Sequence, residues 1–186
     1  MRVIAGEARG VPLVAPPGRA TRPTSDRLKE AIFSTLGDRG CRGRVLDLFA
    51  GSGALGIEAL SRGAEWCDFV ESSPQGCRAI EANLARTQLA GRARIYCLPV
   101  ERFIALHAAG GAPYDLILLD PPYAYVGLES LLETLGATSL VGEQTTVLVE
   151  HASRRELPQA LGALRLSRQR KHGDSAFSLY RLSTAP

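Results

Sequence analysis

At 186 residues, with 45% hydrophobic and 22% charged side chains, the chain has the make-up of one soluble globular unit. A unit of that length buries about 70% of the surface its unfolded form exposes. No apolar run approaches the roughly 18 residues that cross a bilayer, and the first residues lack an apolar signal core, so a cytoplasmic protein without a membrane function is expected.

The formal net charge is +3, and its distribution says more than its sum. Residues 1–44 carry nine Arg/Lys against four Asp/Glu, residues 45–150 six against thirteen, and residues 151–186 seven against two. Two basic ends that meet in space would make one electropositive surface for phosphates. Cys41, Cys67, Cys77 and Cys97 contain no C-x-x-C pair and read as small core residues, with Cys67 and Cys97 falling in expected strands. The three histidines stand far apart, and no metal site is expected.

In chain order, Arg2–Ala5 and Val11–Val14 flank a Gly-bounded turn and predict a β-hairpin ahead of the main sheet. Thr24 or Ser25 then caps a helix whose Leu28, Ala31, Ile32 and Leu36 recur at helical spacing and which ends at Gly37. Arg19, Arg22, Arg27 and Lys29 are left for solvent or ligand. Val45–Ala50 is a buried strand, followed by a helix to about Arg62. Trp66–Val70 is a strand, and Pro74 opens a helix to about Leu89. Arg94–Leu98 is a strand and Val100–Leu106 a short helix before Gly110–Gly111. Leu116–Leu119 is a strand that Pro121 and Pro122 stop, and Leu128, Leu131, Leu132 and Leu135 mark a helix. Thr145–Glu150 is a strand, Glu156–Leu161 a poor helix around Pro158, and Leu164–Arg170 with Ala176–Leu182 a final antiparallel hairpin. Strands alternating with helices predict an α/β protein with a doubly wound, mostly parallel sheet.

Asp120-Pro121-Pro122-Tyr123 therefore stands at the carboxyl end of a central strand, the edge where open α/β sheets bind ligands. This tetrapeptide suits methyl transfer to an amino group on a planar base. Such an amine is a poor nucleophile, because its lone pair is delocalised into the ring. Two acceptors aimed at its N–H groups hold it and favour a pyramidal nitrogen. Asp120 offers a carboxylate, and Pro121 a carbonyl on a backbone of fixed φ. Tyr123 offers a ring for stacking, typically worth about 1–3 kcal/mol.

Gly51-x-Gly53-x-x-Gly56 follows a strand and opens a helix, with Glu71 twenty residues past Gly51. This also fits a dinucleotide fingerprint, so an NAD(P)-dependent oxidoreductase is a rival. Asp47 separates the two. A carboxylate buried four residues before the first glycine would oppose a pyrophosphate, whereas it suits a ligand with an ammonium or sulfonium. S-adenosylmethionine has both and no phosphate. Glu71 could accept from its ribose hydroxyls, and Leu98–Glu101 could flank its adenine. A DNA amine methylase shares both motifs, and a non-catalytic RNA-binding module would share the basic ends.

Asp47–Gly56 together with Asp120–Tyr123 resembles the class I S-adenosylmethionine-dependent methyltransferases that act on exocyclic amines. Met1–Gly6, Arg22-Pro-Thr-Ser-Asp-Arg27 and Lys171-His-Gly-Asp174 narrow the resemblance to the RsmD-type enzymes, over nearly the whole chain. The resemblance implies a Rossmann-like, seven-stranded, mostly parallel sheet with an antiparallel last strand and helices on both faces. Residues 1–186 would form a single methyltransferase domain, with 1–20 as an N-terminal hairpin extension. It implies S-adenosylmethionine as cofactor, S-adenosylhomocysteine as product and no metal. The substrate would be guanine N2 in small-subunit ribosomal RNA, free or in an assembling 30S particle, met by a monomer. The expected catalytic residues are Asp120, Pro121, Pro122 and Tyr123. Asp47, Phe49, Ala50, Gly51, Ser52, Gly53, Glu71, Ser72, Val100 and Glu101 are expected at the cofactor. Arg9, Arg22, Thr24, Arg27, Lys171 and Asp174 are expected at the RNA. The family commonly has an acid at the third strand end, where this chain has Pro99, so the Val100 N–H or Glu101 would meet the adenine.

Overall fold

The structure, a computed structural model, describes residues 1–16, 25–37 and 40–183. Its helices are α1 (Asp26–Leu36), α2 (Ala54–Ser61), α3 (Pro74–Thr87), α4 (Val100–His107) and α5 (Leu128–Gly136). Its strands are β1 (Arg44–Leu48), β2 (Trp66–Val70), β3 (Ala93–Tyr96), β4 (Tyr114–Leu119), β5 (Val141–Ala152), β6 (Ala160–Leu161), β7 (Leu164–His172) and β8 (Ser175–Leu182).

One sheet runs in the order β3-β2-β1-β4-β5-β8-β7-β6. β3, β2, β1, β4 and β5 are parallel, and β8 enters antiparallel between β5 and β7. Where helices cover both faces, in β4 and the later halves of β1 and β2, the parallel strands are mostly apolar on both. Val45, Leu116, Leu118 and Leu148 pack with α1, α2 and α3, while Leu46, Leu48, Ile117 and Leu119 pack with α4 and α5. The strand order reverses between β1 and β4, so their carboxyl ends form the crevice that places the glycine loop beside Asp120.

The sheet has eight strands rather than seven. The extra one is β6, at residues where a helix was expected. Pro158 disfavours helix there, and the chain instead adds two residues to the edge of β7, burying Leu161. β3 stops at Tyr96, so Cys97 lies past the strand and is exposed, not a core residue. Ser25 is the cap of α1, accepting from Leu28 N at 3.1 Å.

The N-terminal segment folds back on itself as a short antiparallel hairpin, held by few ladder bonds and without extended strands. Residues 1–16 make a single antiparallel bridge between Arg2 and Pro12. Across the turn Val3 N donates to Val11 O (3.0 Å), Gly10 N to Val3 O (2.9 Å) and Leu13 N to Met1 O (3.0 Å), and other backbone groups bond to α2, every residue of which is buried. Glu58 accepts from Ile4 N (2.8 Å) and Ala5 N (3.0 Å), and Ser61 Oγ accepts from Ala8 N (3.0 Å) and donates to Ala5 O (2.6 Å). A helix buried all round needs its polar side chains satisfied by another element, and this segment does so. Val3, Ala8 and Leu13 join the core.

Lys29 is a second correction. It is fully buried, not left for solvent or ligand. Its Nζ donates to Arg2 O and lies 3.5 Å from Glu58, which also meets Arg62 Nε at 2.7 Å. Burial pulls the Lys29 ammonium below its ordinary value, against the pull of Glu58.

Candidate active site

The glycine loop begins where β1 ends. Phe49 takes φ 60°, a conformation bulky residues seldom adopt, and Gly51 (φ 59°) and Gly53 (φ 76°) continue the tight turn into α2. Gly53 N donates to Ala50 O at 2.7 Å, and Ala50 N donates to Val70 O at 3.0 Å, which seats the loop on β2. A Cβ on Gly53 would stand 3.2–3.3 Å from Phe69, Ile57 and Ile80.

Two buried carboxylates hold this turn. Asp47, 1% exposed, accepts from Gly56 N at 2.9 Å. Glu71, 2% exposed, accepts from Gly51 N and Ser73 N, each at 2.8 Å. Burial pushes the Asp47 carboxyl up to about 8, the Gly56 N–H opposes it, and the charges of Asp120 and Glu71 raise it further. The structure thus gathers Asp47, Glu71 and Asp120, from the ends of three strands, into one field.

Asp120 is half-buried, Pro121 is buried and Pro122 is exposed. Tyr123 is 50% exposed, and its hydroxyl pairs with Ser175 Oγ at 2.7 Å. Pro122 O accepts from Tyr125 N at 2.7 Å, turning the chain back toward the sheet. The Tyr125 ring meets Phe49 edge-on at 5.0 Å, and its hydroxyl donates to Glu101. Arg155 Nη2 holds both Glu129 oxygens, at 3.0 and 2.7 Å, and its Nη1 reaches Tyr125 O at 3.4 Å. The loop after Asp120 is therefore tied to β8, to α4 and to the segment after β5.

The remaining expected residues divide. Ser72 and Glu101 are exposed and Val100 is buried at the start of α4. Lys171 and Asp174 are exposed on the β7–β8 hairpin, beside the Ser175 that holds Tyr123. Arg27 is exposed on α1. Arg9 is not grouped with them. It sits in the turn bonded to Ser61, at the far end of α2, about 12 Å along the helix from the glycine loop. Arg22 and Thr24 lie outside the described residues.

Three residues of the site were not read from the sequence. Asn83 is fully buried in α3, and its amide donates to Val14 O and Ser52 O at 2.9 Å while its oxygen accepts from Val14 N at 2.8 Å. It fastens the N-terminal segment to the glycine loop, and an Asn between Ile80 and Leu84 on an apolar helix face was its signal. Gly76 lets Glu71 reach the loop, since a Cβ there would lie 2.5 Å from Glu71 Cγ and 3.1 Å from Gly51 O. Tyr125 had no signal beyond its nearness to Tyr123.

These features form a cradle for a cofactor with cationic and hydroxyl groups: a buried carboxylate under the loop, left-handed glycines and an acid at the second strand end. Among the described residues no cluster of His, Cys, Asp or Glu is arranged to hold a metal ion.

Comparison with known proteins agrees with this geometry. The family model described as conserved hypothetical protein 95 matches residues 1–181. YlbH of Bacillus subtilis is 40% identical over 183 residues, covering 97% of this chain and 98% of its own. Ribosomal RNA small subunit methyltransferase D of Escherichia coli K12 is 33% identical over 180 residues, covering 97% and 89%. The YhhF structure from Escherichia coli superposes with a TM-score of 0.85 at 32% identity, covering 100% of this chain and 99% of that one. The chain belongs to the conserved hypothetical protein 95 family and is an RsmD-type methyltransferase.

Proposed function

We propose that this protein methylates the exocyclic N2 amine of a guanine in small-subunit ribosomal RNA, using S-adenosylmethionine and releasing S-adenosylhomocysteine. The observation that carries the reading is the common field of Asp47, Glu71 and Asp120 at adjacent strand ends, with Tyr123 half-exposed beside them. The naming of the Escherichia coli relative supports the RNA substrate.

The cofactor supplies a methyl group on a sulfonium, an electrophile with its own leaving group, so no metal is assigned a role. Asp47 and Glu71 face its positive charge and its ribose hydroxyls, with Phe49, Ala50, Gly51, Ser52, Gly53 and Ser72 forming the turn around it. Val100 and Glu101 border its adenine. Asp120 and the Pro121 carbonyl would accept the two amine N–H groups and hold the nitrogen toward the methyl, and the methylated nitrogen, acidic while it carries the positive charge, would shed its extra proton through Asp120 to solvent. Pro122 stiffens the turn. Tyr123, its hydroxyl held by Ser175, stacks on the base. Guanine N2 is paired in a duplex, so the target is taken unpaired or flipped out. Arg22, Thr24, Arg27, Lys171 and Asp174 contact the RNA around it, and Arg9 extends the contact to the N-terminal turn. The enzyme acts as a cytoplasmic monomer, with the assembling 30S particle as its natural substrate form.

Asp47 makes cofactor affinity depend on pH. Its carboxyl is pushed up to about 8 from 3.8, so the cofactor-free protein holds a proton there through neutral pH. A cation binds the ionised form, so binding releases that proton. Affinity for S-adenosylmethionine is expected to rise with pH up to about 8 and level off above it, and Asp47→Asn to flatten that slope. Stability takes the opposite course. Between the two values the folded state keeps a proton the unfolded chain has lost, so stability falls as pH rises across the window. Calorimetric titrations at several pH values in two buffers of different ionisation heat measure the slope and the proton count together. A pH-independent affinity with no proton release would refute this role for Asp47.

The function itself is tested by transfer of labelled methyl to ribosomal RNA and assembly intermediates from a strain lacking the protein, followed by nucleoside analysis. Label recovered as N2-methylguanosine in small-subunit RNA is the expected result. Label at another base, or none despite cofactor binding, would overturn it.

A further inference from the structure

A cavity of about 390 Å³ lies at the opposite edge of the sheet, where β1, β2, β3 and β4 begin. Its origin is the length of α4. That helix has eight residues, about 12 Å, and covers the later half of these strands, where Leu46, Leu48 and Val70 are buried. On the same face Arg44 and Trp66 stand at the strand starts, Asp68 and Arg94 level with Leu46, and Tyr96 level with Val70 at the end of β3, in place of aliphatic residues. The cavity is thus walled by rings and guanidinium groups at the place where α4 ends, with its last residue, His107, in the lining.

Its polar groups are organised rather than scattered. Asp68, 4% exposed, accepts from Trp66 Nε1 at 3.0 Å and from Tyr114 Oη at 2.7 Å, and lies 3.8 Å from Arg44 Nη2. Arg44 lies over the Tyr114 ring at 4.6 Å and donates to Ala112 O at 2.8 Å. One carboxylate therefore orients two rings and offsets one cation. Tyr96 packs edge-on against Phe103 and His107. Arg94 is exposed, reaches the Tyr96 hydroxyl at 3.4 Å, and adds a positive charge beyond the one Asp68 offsets.

We propose that this cavity is a second binding site, for a nucleotide: the base stacks against the Trp66 and Tyr96 rings, and the phosphate meets Arg94 and the outer edge of Arg44. Flat rings give a face that every base can use, and a guanidinium matches phosphate in geometry and charge. The volume falls within the range of small-ligand sites. β4 separates the cavity from Asp120 by six residues, about 20 Å, so the occupant is not the nucleotide undergoing methylation. The same chemistry is presented by a free mononucleotide and by an unpaired nucleotide elsewhere in a bound RNA. The inference does not rest on the methyl-transfer reading.

The chain contains a single tryptophan, and it lines this cavity, so its fluorescence reports on this site. Selective tryptophan excitation while titrating with GMP, and separately with a short single-stranded oligoribonucleotide, is the experiment. Saturable quenching is expected, weakened about tenfold or more by Arg94→Glu and by Tyr96→Ala, and unchanged by the same charge reversal at exposed Arg86 on α3. Quenching by GMP assigns a free nucleotide as occupant. Quenching by the oligonucleotide alone, with an affinity that falls with salt, assigns RNA. No saturable quenching by either ligand, or quenching that Arg94→Glu leaves intact, overturns the proposal. The readout needs neither cofactor nor methyl transfer, so its failure and that of the proposed function are seen separately.

Discussion

Asp120→Ala is expected to lower the turnover number by about 10²–10³-fold while leaving S-adenosylmethionine affinity within a few-fold of the parent. The magnitude is that of removing one fixed polar partner from a reacting centre where positioning carries the catalysis. Asp120 stands one residue past β4, half-buried, on a backbone that Pro121 and Pro122 stiffen. Without its carboxylate the amine keeps the Pro121 carbonyl alone, loses its orientation and remains conjugated with the ring. Asp120→Asn retains an acceptor oxygen without the charge and should fall between the two. Removing Asp120 also removes one of the charges that hold the Asp47 carboxyl high, so the pH dependence of cofactor binding should shift to lower pH in the alanine variant. Single-turnover methyl transfer and calorimetric cofactor binding, measured on the same preparations, check both statements. Unchanged turnover would refute the assigned role of Asp120.

The largest expected stability effect is at Glu58, far from the chemistry. Glu58→Ala should destabilise the fold by about 3–5 kcal/mol, because it leaves the Lys29 ammonium buried without its carboxylate. The Ile4 and Ala5 N–H groups lose their acceptor as well. For a protein of this size that corresponds to a fall in Tm on the order of 10 °C. Glu58→Gln keeps an acceptor for the backbone groups and should cost less. The consequence reaches the site, because the freed N-terminal segment is the one that Asn83 fastens to Ser52 and that places Met1 Sδ 3.6 Å from Ser52 Oγ. Thermal unfolding of the three proteins, followed by circular dichroism, checks the order. An alanine variant that melts with the parent would show that the buried cluster carries no net stability.

Most of the alternating element order was legible in the chain, and for identifiable reasons. Leu116–Leu119 is uniformly apolar, and Val45–Leu48 is apolar but for Asp47, because both their faces are covered, and only a parallel sheet between helix layers does that. Ser25, Gly37, Pro74 and Gly53 marked helix ends through their own backbone and capping chemistry. Local signals failed where two outcomes had similar local cost. Glu156–Leu161 could not form a sound helix, and its pairing with β7 depended on an edge that exists only once the sheet is assembled. Arg2–Val14 had the pattern of a hairpin and does fold back on itself, but the acceptors for Ile4, Ala5 and Ala8 N belong to α2, more than fifty residues later, which no local pattern announced.

The site divides along the same line. Asp47, the glycines, Glu71 and Asp120-Pro121-Pro122-Tyr123 could be named from the chain, because Asp47 lies near the end of an apolar strand, each of the others follows one, and the carboxyl ends of parallel strands must share one edge. Lys29 could not. A cation on a helix reads as solvated until the partner that neutralises it is known, and Glu58 is twenty-nine residues away. Nor could Asn83, Gly76, Tyr125 or Asp68. Their roles are contacts across elements, and such contacts arise only when the packing of the helices on the sheet decides which side chains meet. Residue order thus settled the elements and the edge where the chemistry gathers, through periodicity and backbone constraint. The buried ion pairs, the clamps on the loop after Asp120 and the cavity at the far edge were decided by packing, because desolvation and distance have no meaning along the chain and acquire one only in three dimensions.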